Sequence, residues 1–349
     1  MSIANFDPSA PARPDSGIFC LPHTPDQAEV ILIPVPWEVT TSYRAGTAGG
    51  PAAILAASRQ IDLYDVETGR PYLVGIAMLE ESAEVRAWNH EGRRLAEQVI
   101  AVGGAIAGVP ELERAAARVD ELGARLNDWL RAETERWLDA GRVVGVVGGD
   151  HSVPFGAIAA IADRHPGLGI LHLDAHADLR DAYEQFTWSH ASIMFNVLRR
   201  IPAVGRIVQV GIRDLCEAEV EVIRTSAGRV ITHFDAELAR RRFGGEGWAA
   251  QCERIIEPLP EQVYVSFDID GLDPTLCPHT GTPVPGGLSF AEAQLLIGAV
   301  MRSGRRIVGF DLNEVAPDPR GDQWDANVAM RVLYKLIGWT LRSQGRAID

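Results

Sequence analysis

Eight short apolar runs recur along this chain, and amphipathic stretches with the period of a helix separate several of them. The runs are mostly continuous Val, Ile and Leu rather than alternating, which is typical of strands that are buried on both faces of a parallel sheet. This alternation of strands and helices predicts an α/β protein with three α/β/α layers and a mainly parallel sheet of about eight strands. The predicted strands are Val30–Val35, Tyr72–Ala77, Val143–Val147, Gly169–Leu173, Arg206–Val210, Val230–His233, Gln262–Phe267 and Arg306–Phe310.

The helical patterns and the absence of a linker predict the domain organisation. The long helical region from Glu81 to Leu138 resembles an insertion into the series. No low-complexity linker interrupts residues 29–349, so we expect one domain there. Residues 1–28 are rich in Pro, Ser and Asp, and we expect an arm on the surface or on a neighbouring subunit. The main predicted helices are Gly50–Ser58, Glu111–Leu138, Pro154–Arg164, Ala191–Arg199, Phe290–Met301 and Asp325–Arg342.

Charge and cysteine content exclude several classes of function. With 33 Lys and Arg against 47 Asp and Glu, the net charge is −14, which argues against binding to nucleic acid or to an anionic membrane surface. The four cysteines form no CxxC pair, so neither a disulfide framework nor a structural zinc site is expected. The N-terminal segment has no apolar signal region and no run is long enough to span a membrane, so we expect a cytoplasmic protein.

Polar side chains follow four of the predicted strands at the point where each strand ends. The segments are GGDHS at 148–152, DAHAD at 174–178, DID at 268–270 and DLNE at 311–314. Ligands of open parallel sheets collect at the carboxyl ends of the strands, so these segments are expected to form one cluster. His172 lies inside a predicted strand, and we expect it to face the packed side of the sheet.

The spacing within these segments predicts a metal centre. In an extended segment alternate side chains point the same way, so each DxHxD or DxD unit can face one centre. Four buried aspartates would repel each other strongly without cations, and two divalent ions balance their charge. Such a pair, roughly 3.5–4 Å apart, converts a bridging water into a hydroxide nucleophile. Carboxylates with imidazole suit Mn²⁺, while Ni²⁺, Co²⁺ or Fe²⁺ stay open. The candidate ligands are His151, Asp174, His176, Asp178, Asp268 and Asp270.

These motifs resemble the ureohydrolase superfamily of arginases, agmatinases and other guanidino-compound hydrolases. The matching segments also include SFDIDGLDP at 266–274, GTPVPGG at 281–287 and GFDLNE at 309–314, and the resemblance extends over roughly residues 30 to 340. It implies an arginase-like fold and two metal ions per chain bridged by Asp174 and Asp268. One ion would also have His151 and Asp178 as ligands, and the other His176 and Asp270.

The resemblance also implies roles for residues around the metals. Glu314 would bind the guanidinium group, and His190 corresponds to a loop histidine that exchanges protons with solvent. The metal-bridging hydroxide would attack the guanidinium carbon. Asp178 or Asp270 would then take the proton and pass it to the leaving nitrogen.

The loop that contains His190 bears on the choice of substrate. Ser189-His190-Ala191-Ser192 departs from the agmatinase pattern, and Arg180 stands where arginases place an Asn that holds the amino-acid end. The stretch FTWSHASIMFN is similar to guanidine hydrolases of cyanobacteria and to subunits that hydrolyse metformin-like biguanides, which implies nickel. Trp188, with Phe186 and Phe195, is expected to enclose a small guanidino cation through a cation–π contact.

Several alternatives stay open from the sequence. The enzyme is expected to act on guanidine, an N-alkyl guanidine or a biguanide, and the alternative is an agmatinase or guanidinobutyrase. Metal-dependent deacetylases share the architecture but keep a single ion. A non-catalytic subunit of a heteromeric ureohydrolase would normally lose ligands that are all present here. The family resemblance implies a homotrimer or homohexamer, with a related partner subunit as a further option.

Overall fold

The computed structural model describes residues 6–10 and 16–346, and these residues form one eight-stranded parallel sheet between layers of helices. The strand order is β2-β1-β3-β8-β7-β4-β5-β6, and every neighbouring pair is parallel. The strands are β1 Val30–Pro34, β2 Ile76–Met78, β3 Val143–Val147, β4 Leu168–Leu173, β5 Val204–Ile212, β6 Val230–Phe234, β7 Gln262–Asp268 and β8 Arg306–Asn313.

Ten α-helices in the described part of the chain cover the two faces of the sheet. The side chains of α2, α3, α4 and α5 pack on one face, and those of α1, α8, α9 and α10 pack on the other. Their bounds are α1 Gly50–Ala57, α2 Ala83–Ile100, α3 Pro110–Asp139, α4 Phe155–Arg164, α5 Ile193–Arg200, α6 Glu217–Thr225, α7 Asp235–Phe243, α8 Trp248–Ile256, α9 Phe290–Arg302 and α10 Trp324–Ser343. The predicted three-layer α/β/α architecture is confirmed.

Alternation along the strands produces these two cores. In β1, Ile31 and Ile33 pack under α2 and α3, whereas Val30 and Leu32 face the opposite layer. All five residues of β1 are buried, as the continuous apolar run predicts. None of the helices in the described residues is both long and apolar enough to cross a membrane.

Three details of the fold differ from the sequence predictions. The run Tyr72–Ala77 is mostly not a strand, because Pro71–Val74 forms a 3₁₀ turn and the strand begins at Ile76. The region 81–138 is not an insertion, because α2 and α3 form most of one helical layer. The predicted arm is not entirely on the surface, since its residues Ile18, Phe19 and Leu21 lie in the main core. Residues 1–5 and 11–15 of the predicted arm lie outside the described residues.

Candidate active site and metal centre

The four polar segments meet because their strands are neighbours. β3, β8, β7 and β4 are consecutive in the centre of the sheet, and all four end at the same edge. The two glycines of GGDHS permit this close approach. A Cβ on Gly148 would lie 2.0 Å from Asn313 Oδ1, and one on Gly149 would lie 1.8 Å from the Trp37 carbonyl oxygen. Any larger residue would push β3 away from β8 and from the loop after β1.

The predicted ligands form one buried cluster. His151 Nδ1 lies 3.0 Å from an oxygen of Asp174, 3.2 Å from one of Asp268 and 3.4 Å from one of Asp178. The second predicted histidine, His176, has its Nδ1 atom 3.1 Å from Asp270 Oδ2 and 3.4 Å from Asp174 Oδ1. The structure therefore brings all six predicted ligand side chains together, with Asp174 between the two histidines. His151, Asp174, Asp178, Asp268 and Asp270 are buried, and His176 is half-buried.

Hydrogen bonds fix which nitrogen of His151 faces this cluster. The Ser266 hydroxyl donates its only hydrogen to Asp311 Oδ1 at 3.0 Å, because a carboxylate oxygen can only accept. Ser266 Oγ therefore accepts from His151 Nε2, which lies 2.9 Å away. This assignment leaves His151 Nδ1 to face three carboxylates, so this nitrogen either carries a proton or binds a cation. The donor set thus fits a metal ion, and one imidazole with several carboxylates suits a hard divalent ion.

The electrostatics of the cluster indicate the same need for positive charge. Burial and the neighbouring carboxylates raise the pKa values of Asp178 and Asp268 well above their usual range. Burial opposes protonation of His176, but Asp270 and Asp174 outweigh it and raise the pKa of His176 to about 12. Both changes are responses to a concentration of negative charge that two divalent ions would neutralise.

Glu314 stands beside the cluster with one oxygen that makes no hydrogen bond to a described residue. Its Oε1 accepts from the backbone N–H of His151 at 2.9 Å, whereas its buried Oε2 has no such partner. Burial and nearby Asp150 raise the pKa of this carboxyl well above its usual range, so it favours a cationic partner. Glu314 and Asp178 also adopt left-handed backbone conformations, with φ of 65° and 54°. Such conformations in residues other than glycine are concentrated at functional sites.

A cavity of about 380 Å³ opens onto the cluster. Its wall includes His176, Asp178 and His190 from the predicted site, together with Arg180 and Tyr183. The backbone N–H of His190 donates to Thr40 Oγ1 at 3.1 Å, and burial lowers the pKa of this imidazole to about 3. His190 is therefore fixed at the cavity with a neutral imidazole.

Comparison with known proteins places this site in a family. Residues 28–338 match the description "Arginase family". The chain belongs to the arginase family. Among its relatives, an N(1)-aminopropylagmatine ureohydrolase of Thermus thermophilus is 32% identical over 316 residues, or 90% of each chain. An agmatinase of Bacillus anthracis is 30% identical over 319 residues, or 90% of this chain and 93% of that one.

The structural comparison agrees with the arginase-like fold. The agmatine ureohydrolase of Thermoplasma volcanium superposes with a TM-score of 0.71 over 95% of this chain and 96% of that chain, at 22% identity. This arginase-family chain is therefore a metal-dependent hydrolase of guanidino C–N bonds. Enzymes of the family depend on two metal ions, and the buried His and Asp cluster fits that requirement.

One predicted substrate contact of this arginase-family chain is not supported by the structure. Trp188 does not line the cavity: its indole packs edge-on against Phe155 at 4.9 Å, and the Arg200 guanidinium lies over it. A Cβ on Gly123 would approach Trp188 to 2.8 Å, so the ring also fits closely against α3. Phe186 is fully buried in the core under α2 and α3. The three rings of the predicted aromatic enclosure lie outside the cavity lining, and the tyrosines on the cavity wall are Tyr43 and Tyr183.

Sequence reasoning missed two groups that support the ligands of the arginase-family site. His172 was expected to face hydrophobic packing, but its Nε2 lies 2.8 Å from Asp174 Oδ2. Thr40 follows β1 and bonds both to His190 and to Asp150. The signal for His172 was a polar residue in an otherwise apolar strand, two positions before a ligand and therefore on the same side of the strand. Thr40 lies in a loop, and no pattern in the sequence predicts its contacts.

Proposed function

We propose that this arginase-family enzyme hydrolyses a guanidino compound that carries no second positive charge, such as guanidine, an N-alkyl guanidine or a biguanide. Hydrolysis of guanidine gives urea and ammonia, and hydrolysis of an N-alkyl guanidine gives urea and an amine. The observation that carries this proposal is the position of Arg180, whose positive charge lies on the wall of the cavity.

Arg180 is placed to oppose a second cation. Its guanidinium lies over the Tyr183 ring at 4.9 Å and 3.7 Å from Glu219 Oε2. Both oxygens of Glu219 are already bonded to backbone N–H groups, those of Leu179 and Cys216. The guanidinium of Arg180 makes no hydrogen bond to any residue that the structure describes. A substrate tail that ends in an ammonium group would meet this fixed positive charge.

The roles of the remaining residues follow from their positions. The unpaired Oε2 of Glu314 suits a planar cation with several N–H donors. Two divalent ions held by the six candidate ligands would lower the pKa of a bound water and so supply a hydroxide nucleophile. Asp178 or Asp270 would carry a proton to the leaving nitrogen. His190, neutral and on the cavity wall, would exchange that proton with solvent.

An agmatinase-type or guanidinobutyrase-type reaction is the second candidate. The cavity of about 380 Å³ has room for a substrate longer than guanidine, and Asp214 on its wall would attract an ammonium group at the end of a tail. The Thermus relative is an N(1)-aminopropylagmatine ureohydrolase and the Bacillus relative is an agmatinase, and both support this candidate. A carboxylate tail, in contrast, would pair with Arg180.

A substrate panel tests these candidates. Protein loaded with Ni²⁺ or Mn²⁺ is assayed for urea release from guanidine, methylguanidine, agmatine, 4-guanidinobutyrate and arginine, and for dimethylamine release from dimethylbiguanide. We expect guanidine, methylguanidine and dimethylbiguanide to have a higher kcat/KM than agmatine, 4-guanidinobutyrate and arginine, and a preference for 4-guanidinobutyrate would favour the guanidinobutyrase-type reaction. Arg180→Gln should raise kcat/KM for agmatine relative to guanidine about tenfold, because one full charge is removed from the wall.

The matched control is Arg199→Gln. Arg199 lies outside the cavity lining, with its guanidinium over Phe195, so the same change in charge should leave the ratio unaltered. Turnover of agmatine in preference to guanidine and dimethylbiguanide by the unaltered enzyme, with no effect of Arg180→Gln, would contradict the proposal and favour the agmatinase-type reaction.

A further inference from the structure

A row of five polar side chains crosses the sheet next to the metal cluster, with one residue on each of five neighbouring strands. The strand register pairs each member with the next across β6, β5, β4, β7 and β8. The row is Thr232, Gln209, His172, Ser266 and Asp311, and all but the half-buried Thr232 are fully buried. Polar groups this deep in a sheet are retained only when hydrogen bonds satisfy them.

The backbone carbonyl of Ala177 fixes the orientation of the Gln209 amide. The Gln209 nitrogen Nε2 lies 2.6 Å from the Ala177 oxygen, which can only accept a hydrogen bond. A flipped amide would set two acceptors against each other at this distance. The Gln209 oxygen therefore faces Thr232, whose hydroxyl donates to it at 2.8 Å.

This orientation determines the tautomer of His172. The second hydrogen of Gln209 Nε2 points at His172 Nδ1, 3.0 Å away, so Nδ1 must accept. The hydrogen of the neutral imidazole is then on Nε2, which donates to Asp174 Oδ2 at 2.8 Å. His172 has no free lone pair for a metal, although its nitrogen lies within reach of the ligand cluster.

We propose that Gln209 and His172 act as a positioning pair that holds the Asp174 carboxylate in its metal-bridging orientation. Asp174 lies between His151 and His176, so its rotation would disturb both metal positions at once. An Nε2–H donor fixes one oxygen of Asp174 without adding a charge to the site. Partners of this kind, outside the ligands themselves, commonly alter metal affinity ten- to hundredfold when they are lost.

The tautomer is tested directly by ¹⁵N NMR of the imidazole nitrogens in the full chain. His172 is identified among the nine histidines by the signal that disappears in His172→Gln. The proposal requires a neutral ring with a hydrogen on Nε2 and none on Nδ1. In Gln209→Glu, which preserves the shape of the side chain, an oxygen replaces the donor and Nδ1 should gain a hydrogen. A hydrogen on Nδ1 in the unaltered protein, or no change in Gln209→Glu, would overturn the proposal.

The positioning role is tested by titration of the stripped protein with Mn²⁺ alone. We expect His172→Leu and Gln209→Glu to weaken Mn²⁺ binding about ten- to hundredfold. His172→Gln, whose amide can still donate to Asp174, should restore most of the affinity. Thr232→Val is the control at the end of the row, because the Ala177 carbonyl still orients Gln209; it should retain both the tautomer and the affinity.

Unchanged Mn²⁺ affinity in His172→Leu would overturn the positioning role. If His172→Leu does not fold, the Mn²⁺ affinity of Gln209→Glu still tests the positioning role, and the ¹⁵N spectrum of the unaltered protein still tests the tautomer. Neither the ¹⁵N spectrum nor the Mn²⁺ affinity depends on turnover, so both tests are independent of which guanidino compound is the substrate.

Discussion

At the scale of single residues, backbone amides hold one oxygen of two candidate ligand carboxylates, and the other oxygen of each faces a histidine of the cluster. Asp270 Oδ1 accepts from the N–H of Ala175 at 3.0 Å, and Asp268 Oδ1 accepts from the N–H of Asp270 at 2.8 Å. Such bonds fix the direction of the second oxygen. The chain thus arranges its carboxylates for metal binding before any metal arrives.

Glu314→Gln is expected to lower kcat/KM for the guanidino substrate at least a hundredfold. The amide keeps an oxygen for the His151 N–H but removes the negative charge that we propose to face the guanidinium, and charged hydrogen bonds are about twice as strong as neutral ones. Urea release measures the loss, and metal analysis should show the same metal content as in the unaltered enzyme. Retained activity in a metal-loaded variant would exclude the role of Glu314 in substrate binding.

Trp188→Leu separates packing from substrate recognition. Because the indole packs against Phe155, Arg200 and Gly123 outside the cavity, we expect a loss of about 1–2 kcal/mol in the free energy of unfolding. The KM for guanidine should stay within about twofold of the original value. Denaturant unfolding and steady-state kinetics check the two halves of this prediction. A tenfold rise in KM with unchanged stability would support the prediction that Trp188 encloses the substrate.

At the scale of elements, the site depends on loops that follow the strands as much as on the strands. The ends of β3, β8, β7 and β4 bring the candidate metal ligands and Glu314 together at one edge of the sheet. The loop between β7 and α9 then covers Glu314, and the loop after β1 supports His190 through Thr40. Substitutions in these loops should therefore change kcat/KM with little change in the packing of the core.

Gly281→Ala tests the loop that covers Glu314. A Cβ at Gly281 would lie 2.6 Å from Glu314 Oε2, the oxygen proposed to meet the guanidinium. We expect kcat/KM to fall about tenfold or more, since small displacements of positioning groups cost such factors, while metal content is unchanged. Gly247→Ala is the control, because a Cβ there meets no atom within 4 Å. Equal activity of both variants would show that Glu314 Oε2 does not face the substrate.

An ion pair between α10 and the loop after α1 predicts a pH-dependent difference in stability. Lys335 Nζ lies 2.8 Å from Asp65 Oδ2 and 2.6 Å from Glu67 Oε2, so Lys335→Met removes both contacts. Burial raises the pKa of Asp65, but the hydrogen bond from Lys335 outweighs burial and lowers this pKa from the usual 3.8. A lowered carboxyl pKa stabilises the fold above the unfolded value and loses that effect as the pH falls through the folded value.

Lys335→Met should therefore cost about 1 kcal/mol at pH 7, and this difference from the unaltered protein should shrink as the pH falls below about 4. Thermal unfolding of both proteins across this range makes the comparison, and titration of the metal ligands affects both equally. A difference that is constant with pH would contradict the assigned pair.

At the scale of the whole molecule, the features that could be predicted from the sequence are those that leave a local pattern in it. The sheet was predictable because strands buried on both faces leave continuous apolar runs, and the ligand cluster was predictable because parallel strands end at one edge. The burial of Ile18, Phe19 and Leu21 was not, since a short non-periodic segment carries no signal of where it packs. The location of Trp188 depends on tertiary contacts with α3 and α4, which no local pattern encodes. Assembly into a homotrimer or homohexamer stays a prediction.

The most direct test of this account is the number of divalent ions that the chain binds. Protein stripped of metal is titrated with Mn²⁺ and, in parallel, with Ni²⁺ by calorimetry, and metal analysis after dialysis gives the bound amount. The account predicts two ions per chain, and urea release from a guanidino substrate that requires the second ion. A single ion per chain with full activity would contradict the binuclear site and favour a one-metal hydrolase built on the same sheet.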